Sequence, residues 1–163
     1  MYYGLTFLGV FHTTISLIAV AIGAVALIRD GKITWDNPIG KIYFITTIIV
    51  CLTGFGIFQH GGFGKPHALG VITLIVLAIA FAVGKKTVLF GRFSPYVETV
   101  SYSMTFFFHI VPGITETATR LPLNAPLASS PEDPNIHMTI GICFVLFVIG
   151  AMLQVRRLSR EIQ

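Results

Sequence analysis

Charged side chains are scarce in this sequence. Asp, Glu, Lys and Arg make up only 11% of its 163 residues, whereas soluble domains carry about a quarter. Hydrophobic residues make up 54%, and the mean hydropathy is +0.82. The 11 basic residues lie beside apolar runs and not in one patch, which argues against nucleic-acid binding. The composition therefore excludes an ordinary soluble domain and predicts a polytopic membrane protein.

Cysteine and the common catalytic motifs are also lacking. The chain has two cysteines, Cys51 and Cys143, which lie inside apolar runs and form no CxxC pair. We interpret both as small core residues. The phosphate-binding patterns GxxxxGK[ST] and GxGxxG are absent, and so are HExxH and GxSxG. Nothing in the sequence therefore indicates nucleotide binding or one of the common hydrolase sites.

What the sequence does contain is five apolar segments of membrane length. At about 1.5 Å per residue, each is long enough to cross or nearly cross the hydrocarbon core as a helix. They are residues 5–28, 39–59, 68–84, 96–116 and 136–155. A proline-rich polar segment, residues 120–135, is predicted to be an extramembrane loop. The sequence thus predicts an all-α transmembrane bundle of five spans, forming a single membrane domain over residues 1–163. Four spans plus a re-entrant segment are the alternative, because the fourth segment is the most polar.

Basic residues predict the orientation of this bundle. If the five segments alternate in direction, nine basic residues fall at one face: Arg29, Lys32, Lys41, Lys85, Lys86, Arg92, Arg156, Arg157 and Arg160. Only Lys65 and Arg120 fall at the other face. Because cytoplasmic loops carry the excess of Lys and Arg, the first face is predicted to be cytoplasmic. The C-terminus is then inside and the N-terminus outside.

The fourth segment carries a helical stripe of polar residues. Its members recur at i, i+3, i+7, i+10 and i+14 and are Tyr102, Thr105, His109, Pro112 and Glu116. Such a face is costly in lipid, so we expect it to turn toward other helices or a cofactor. Pro112 and Gly113 are predicted to bend or end the helix.

All five histidines fall on the outer half of the predicted topology. They are His12, His60, His67, His109 and His137. Counted from the predicted helix ends, His12 and His109 lie level, about 10 Å below the outer surface. His60, His67 and His137 lie at the ends of their spans, near the headgroups. The histidines therefore divide into an inner pair and an outer trio.

The inner pair suggests a b-type haem. Two level imidazoles on different helices are what such a haem needs as axial ligands. The face of the first segment that follows His12 is small (Ser16, Ala19 and Gly23), which would let a macrocycle approach. The alternative is that this face packs helices together and that His12 hydrogen-bonds a neighbouring hydroxyl.

Two roles can be predicted for Arg120. It stands four residues after Glu116, so the two side chains are expected to form an ion pair near the helix end. A guanidinium also matches a haem propionate or a lipid phosphate.

The outer trio suggests a metal site instead. Three imidazoles at an aqueous boundary, with acidic residues such as Glu116, Glu132 and Asp133 nearby, would suit zinc or copper. His60 and His67 lack the i, i+4 spacing of a helical metal motif. Histidines that simply meet water and headgroups are the alternative.

Three short stretches resemble a broad group of uncharacterised bacterial multi-pass membrane proteins. They are the run from His12 to Gly23, the sequence Gly40-Lys41-Ile42-Tyr43, and the sequence Phe63-Gly64-Lys65-Pro66-His67. The resemblance covers roughly the first ninety residues and implies a small helical bundle in the bacterial inner membrane. By architecture alone, the chain is also similar to small cytochrome b subunits.

These features lead to three functional hypotheses. The first is a b-type haem protein or haem-bearing subunit that passes electrons between a quinone and a partner at the outer face, that is, an oxidoreductase component. The second is a metal-dependent membrane enzyme that uses the outer histidines. The third is an accessory subunit whose polar faces bind other helices of a complex. In all three the partners are the lipid bilayer and either other membrane subunits or further copies of the chain, without nucleic acid.

Overall fold

The computed structural model describes residues 6–58, 62–85 and 90–162, and within these ranges it contains five α-helices and no strand. The helices are α1 (Phe7–Asp30), α2 (Pro38–Gly54), α3 (Lys65–Gly84), α4 (Ser94–Arg120) and α5 (Pro134–Ile162). The all-α prediction is confirmed. Three of the helices, α1, α3 and α5, are long and apolar enough to cross a membrane.

The first four helices form a bundle, and α5 lies outside it. In the bundle α1 packs against α2 and α4, and α3 packs against α2 and α4, while α5 packs along α4. The two helices α2 and α4 are therefore diagonal to each other, and only their side chains meet. The residues that fill the centre come from all four helices and from the α1–α2 connector: Ala26, Ile33, Tyr43, Leu77, Ala80 and Tyr102.

Two close contacts in the bundle depend on a glycine, because a side chain there would collide with the neighbouring atoms. A Cβ added to Gly23 would lie 2.6 Å from the ring of Phe106 and 2.8 Å from the ring of Tyr43. A Cβ on Gly40 would lie 1.7 Å from the carbonyl oxygen of Thr34. The small face of α1 therefore receives aromatic rings from α2 and α4, and the α1–α2 connector folds directly onto α2.

The connector is also tied to the end of α3. Trp35 makes edge contacts with Phe44 and Phe81, with ring centroids 5.0 Å and 4.9 Å apart. The ammonium group of Lys85 lies 5.4 Å from the centroid of the same indole. The connector thus joins α2 and α3 at the end of the bundle that carries Lys41 and Lys85. The opposite end, which carries His12 and His67, is called the outer end.

The helix ends differ from the predicted spans. α2 stops at Gly54, five residues before the predicted end, and α5 continues past residue 155 to Ile162. The prediction for α4 was wrong where it allowed Pro112 and Gly113 to end the helix, because α4 runs on to Arg120. Pro112 lies on an exposed face, and a proline removes one backbone hydrogen bond without ending a helix that packing holds in place. Leu5, the predicted start of the first span, lies outside the described residues.

Candidate functional site

The polar stripe of α4 faces the interior of the bundle over its first three members. Tyr102 and Thr105 are completely buried and His109 is 6% exposed, whereas Pro112 and Glu116 are exposed. The predicted turning of this face toward other helices is therefore confirmed for the stripe as far as His109. Its outer part lies on an exposed face of the helix.

The stripe meets a pair of polar residues from α2. Tyr43 and Thr47, both completely buried, lie one helical turn apart. The Tyr43 hydroxyl is 2.9 Å from the Thr105 Oγ1, and the Thr47 Oγ1 is 3.1 Å from the His109 Nε2. The Thr47 hydroxyl also interacts with the Tyr43 hydroxyl. We call these four side chains, Tyr43, Thr47, Thr105 and His109, the polar file.

The hydrogen position in one bond of the polar file follows from a backbone contact. The Thr105 hydroxyl donates to the carbonyl oxygen of Tyr102 at 2.7 Å. A hydroxyl has a single hydrogen, so Thr105 accepts from the Tyr43 hydroxyl. The second bond joins the Thr47 hydroxyl to the His109 Nε2. The file thus consists of two buried hydrogen bonds that join α2 and α4 across the diagonal of the bundle.

His12 lies against the outer end of α2. Its Nδ1 is 3.0 Å from the Thr53 Oγ1, and that hydroxyl donates to the Ile49 carbonyl at 2.7 Å. The Thr53 oxygen therefore accepts a hydrogen bond from the His12 Nδ1–H. The Nε2 of His12 is left with its lone pair. A Cβ on Gly54 would lie 3.3 Å from the imidazole, so the glycine lets the ring rest on the helix.

The two inner histidines are not level, as the sequence analysis had predicted. They contact α2 at Thr47 and Thr53, six residues apart and so about 9 Å along the helix axis. His109 is the deeper of the two, because α4 extends beyond the end from which its depth was counted. The predicted arrangement of two facing imidazoles at one depth was therefore wrong.

Both inner histidines have other partners in this geometry, and haem ligation by His12 and His109 stays a prediction. The Nε2 of His109 is bonded to Thr47, and the Tyr43 ring lies edge-on to the same imidazole at a centroid distance of 6.1 Å. The small face of α1 that was expected to admit a macrocycle is filled at Gly23 by aromatic rings. The alternative interpretation, helix packing with a hydroxyl partner for His12, describes what the residues do here.

Arg120 forms the expected ion pair with Glu116 at the outer end of α4. Both side chains are partly exposed, at 33% and 59%. The prediction of a structural i, i+4 pair is confirmed. A role for Arg120 toward a propionate or lipid phosphate stays a prediction.

The described members of the outer trio have different surroundings. His67 is 6% exposed, with its ring 5.0 Å from Phe58 and 5.2 Å from Phe63. His137 is exposed, and its Nε2 lies 3.7 Å from a carboxylate oxygen of Glu132.

His60 lies outside the described residues. Within the part of the chain that the structure describes, no three His, Cys, Asp or Glu side chains come together to hold a metal ion. A zinc or copper site that includes His60 stays a prediction.

Glu98 is a residue that the sequence analysis did not single out. It lies on the buried face of α4, one turn before Tyr102, and its carboxylate accepts from the Thr34 hydroxyl at 3.1 Å. A Cβ on Gly84 would lie 2.6 Å from the same carboxylate. The hydroxyl of Tyr102, the next residue along this face, is buried and has no hydrogen-bond partner among the described residues. The available signal was the i, i+4, i+7, i+11 spacing of Glu98, Tyr102, Thr105 and His109.

Charges outside the bundle interior are paired at its two ends. At the outer end the Lys65 ammonium, 2.7 Å from Glu132, holds the pKa of that carboxyl below its usual range. At the other end the Arg29 guanidinium pairs with Asp30 at 2.7 Å, and the Asn37 amide donates to the same carboxylate at 3.2 Å. These exposed pairs are separate from the polar file.

No family model, curated protein or solved structure matches this chain.

Proposed function

We propose that this protein transfers protons within the bacterial inner membrane, as a bundle of five membrane-spanning helices with its N-terminus outside and its C-terminus in the cytoplasm. The observation that carries the proposal is the polar file, in which His109 and three hydroxyl side chains are buried together at the centre of the bundle. Polar and ionisable side chains are expensive inside a membrane and commonly belong to ion pathways or proton relays. Helix association alone does not need an imidazole there.

Each member of the file is able both to give and to receive a proton. His109 takes up a proton at one ring nitrogen and releases one from the other, so charge passes through while the ring remains in place. The hydroxyls of Tyr43 and Thr47 pass hydrogen by rotating, without a lasting change in charge. The sequence of steps therefore conserves protons and needs no electron donor or acceptor.

Glu98 and His12 supply the two ends of the route. Glu98 is bonded to Thr34 of the α1–α2 connector and precedes Tyr102 by one turn, and the Tyr102 hydroxyl is buried without a partner among the described residues. His12 lies about 9 Å further out than the contact of His109 with α2. Water molecules in these two intervals would be needed to complete the connection.

Proton flux into liposomes tests the proposal. Purified protein is reconstituted with a trapped pH-sensitive dye, and a potassium diffusion potential drives protons inward. We expect faster acidification than in protein-free liposomes, and about tenfold slower flux for His109→Gln. Glutamine keeps a hydrogen-bonding group opposite Thr47 but does not change its protonation state.

His137→Gln is the matched control, because His137 is exposed and outside the file; its flux should equal that of the wild type. A wild-type rate equal to that of empty liposomes would overturn the proposal. Equal rates for the wild type and His109→Gln would do the same. If both variants fold and only helix stability changes, the third hypothesis, an accessory subunit, is preferred.

A haem-bearing electron-transfer subunit is the second candidate, and His12 favours it. Thr53 holds the Nδ1–H of His12 and leaves Nε2 with its lone pair, which is how metal-ligating histidines are commonly oriented. Haem b would require His109 to leave Thr47, or a second ligand from another chain. A visible spectrum with Soret and α bands after expression with ample haem would support this candidate. Colourless protein would remove it, and metal analysis of His60→Ala/His67→Ala would then test zinc or copper.

A further inference from the structure

His67 presents a buried hydrogen-bond donor that nothing in the described structure satisfies. Its Nδ1 accepts from the backbone N–H of Gly64 at 3.2 Å, which caps the start of α3. A nitrogen that accepts has no hydrogen, so in the neutral ring the hydrogen is on Nε2. That Nε2 is buried and has no hydrogen-bond partner. Leaving such a donor unpaired costs free energy, so its persistence needs a reason.

The surroundings of this donor are flat and apolar, and the aromatic rings around it are exposed. Phe58 lies nearly parallel to the imidazole, at 23°, and Phe63 is tilted by 30°. The two phenyl side chains are 58% and 70% exposed, although the imidazole they contact is buried. A ligand would therefore lie on aromatic surfaces at the outer end of the bundle, and it would reach the buried Nε2 when one of these rings turns aside.

The charged groups near His67 favour a neutral hydrogen-bond acceptor over an anion. The nearest candidate to attract a phosphate is Lys65, and its ammonium is already bonded to Glu132 at 2.7 Å. The His67 ring is itself neutral while Nδ1 accepts from Gly64. A carbonyl oxygen on an apolar body matches a neutral donor among aromatic rings better than an anion does.

We propose that the outer end of α3 binds a lipid-soluble carbonyl compound of the quinone class, whose carbonyl oxygen accepts a hydrogen bond from the His67 Nε2–H. The flat head group stacks against Phe58 and Phe63, and its apolar tail lies in the bilayer. The ester carbonyl of a phospholipid has the same acceptor chemistry but no flat ring to stack, so the aromatic surroundings select the quinone. This site is separate from the polar file and does not depend on it.

Binding of decylubiquinone to the protein in nanodiscs of ether-linked lipids tests the site, because those lipids have no ester carbonyl. We expect saturable binding by the wild type and at least about tenfold weaker binding by His67→Gln. Glutamine at the third helical position keeps the cap on the Gly64 N–H but does not place a donor where Nε2 lies. His137→Gln, altered at an exposed histidine of the same end, should bind as the wild type does.

The ¹⁵N and ¹H resonances of histidine-labelled wild-type protein give a second measurement that needs no variant. The His67 Nε2–H signal should shift when decylubiquinone is added. No saturable binding, or binding unaffected by His67→Gln together with an unmoved signal, would overturn the proposal. So would a signal that moves between ether and ester lipids but not with quinone, because the acceptor would then be a lipid.

Discussion

α4 and α5 lie against each other, yet they distribute their side chains in opposite ways. α4 buries polar residues, namely Thr99, Tyr102, Ser103, Thr105 and His109. α5 buries only Ile136 and Leu158 among its 29 residues, and it exposes large apolar side chains along most of its length. In water such a pair would be inverted, because apolar burial drives folding there. The comparison teaches that the medium around α5 is apolar and that the polar chemistry of the bundle is kept inside.

The two helices also meet through a polar contact. Ser103 on α4 donates to the Gln154 Oε1 at 2.9 Å, and the Gln154 Nε2 donates to the Gly31 carbonyl at 2.8 Å. Gly31 ends α1 with a positive φ of 72°, a conformation that glycine adopts without strain. One side chain of α5 thus connects it to both α4 and α1.

The largest effect is expected from a charged side chain on the exposed face of α5, where the helix now has apolar residues. Leu146, near the middle of the helix, is 61% exposed. In Leu146→Lys we expect a cost of about 3 kcal/mol for membrane insertion, because an ammonium group would face hydrocarbon. Insertion is measured by the glycosylation or protease protection of a tagged α5. Leu146→Ala is the control and should insert normally; equal insertion of the lysine variant would show that this face does not meet lipid.

A smaller effect is expected at Gln154, the residue of α5 that bonds to Ser103 of α4 and to the Gly31 carbonyl. Gln154→Leu removes two hydrogen bonds and leaves the Ser103 hydroxyl and the Gly31 carbonyl without this partner. We expect a loss of about 1 to 2 kcal/mol in the free energy of unfolding, measured by detergent titration in bicelles. Ser103→Ala tests the link, since its effect should be smaller in the Gln154→Leu background than in the wild type. Strictly additive effects would contradict the coupling of α4 and α5 through these side chains.

The smallest effect concerns the loop before α5. The Lys65 ammonium lowers the pKa of Glu132 in the folded protein, so the pair adds stability at pH values above the usual pKa of a glutamate, about 4.3. This contribution is lost as the pH falls through the lowered folded value. We expect a slightly lower thermal midpoint at acidic pH for the wild type, and a smaller decrease for Glu132→Gln. Because both side chains are exposed, high salt should weaken the difference. A difference that persists in high salt would contradict a surface pair.

The sequence predicted well those features that the membrane itself imposes. A long apolar run has only the helix as a way to satisfy its backbone in lipid, and α1, α3 and α5 follow directly. The buried face of α4 was also readable, because Tyr102, Thr105 and His109 share one side of a helix. Neither inference needed knowledge of which helices are neighbours.

The features that the sequence did not reveal depend on which helices are neighbours in the bundle. The partners of the stripe are Tyr43 and Thr47. They lie in a run of β-branched and apolar residues, in which a hydroxyl group does not by itself indicate a site. Their role comes from the diagonal placement of α2 and α4. The depth of His109 was misjudged because Pro112 and the residues after it were taken to limit the helix, whereas packing carries α4 on to Arg120.

The hydrogen bond from Thr105 to the Tyr102 carbonyl has a consequence for the side chain opposite. That main-chain oxygen has no hydrogen to give, so the Thr105 oxygen is left to accept the hydrogen of the Tyr43 hydroxyl, 2.9 Å away. The Tyr43 O–H bond thus points in one direction at rest. That direction is set by a group of the main chain, which no side-chain substitution removes.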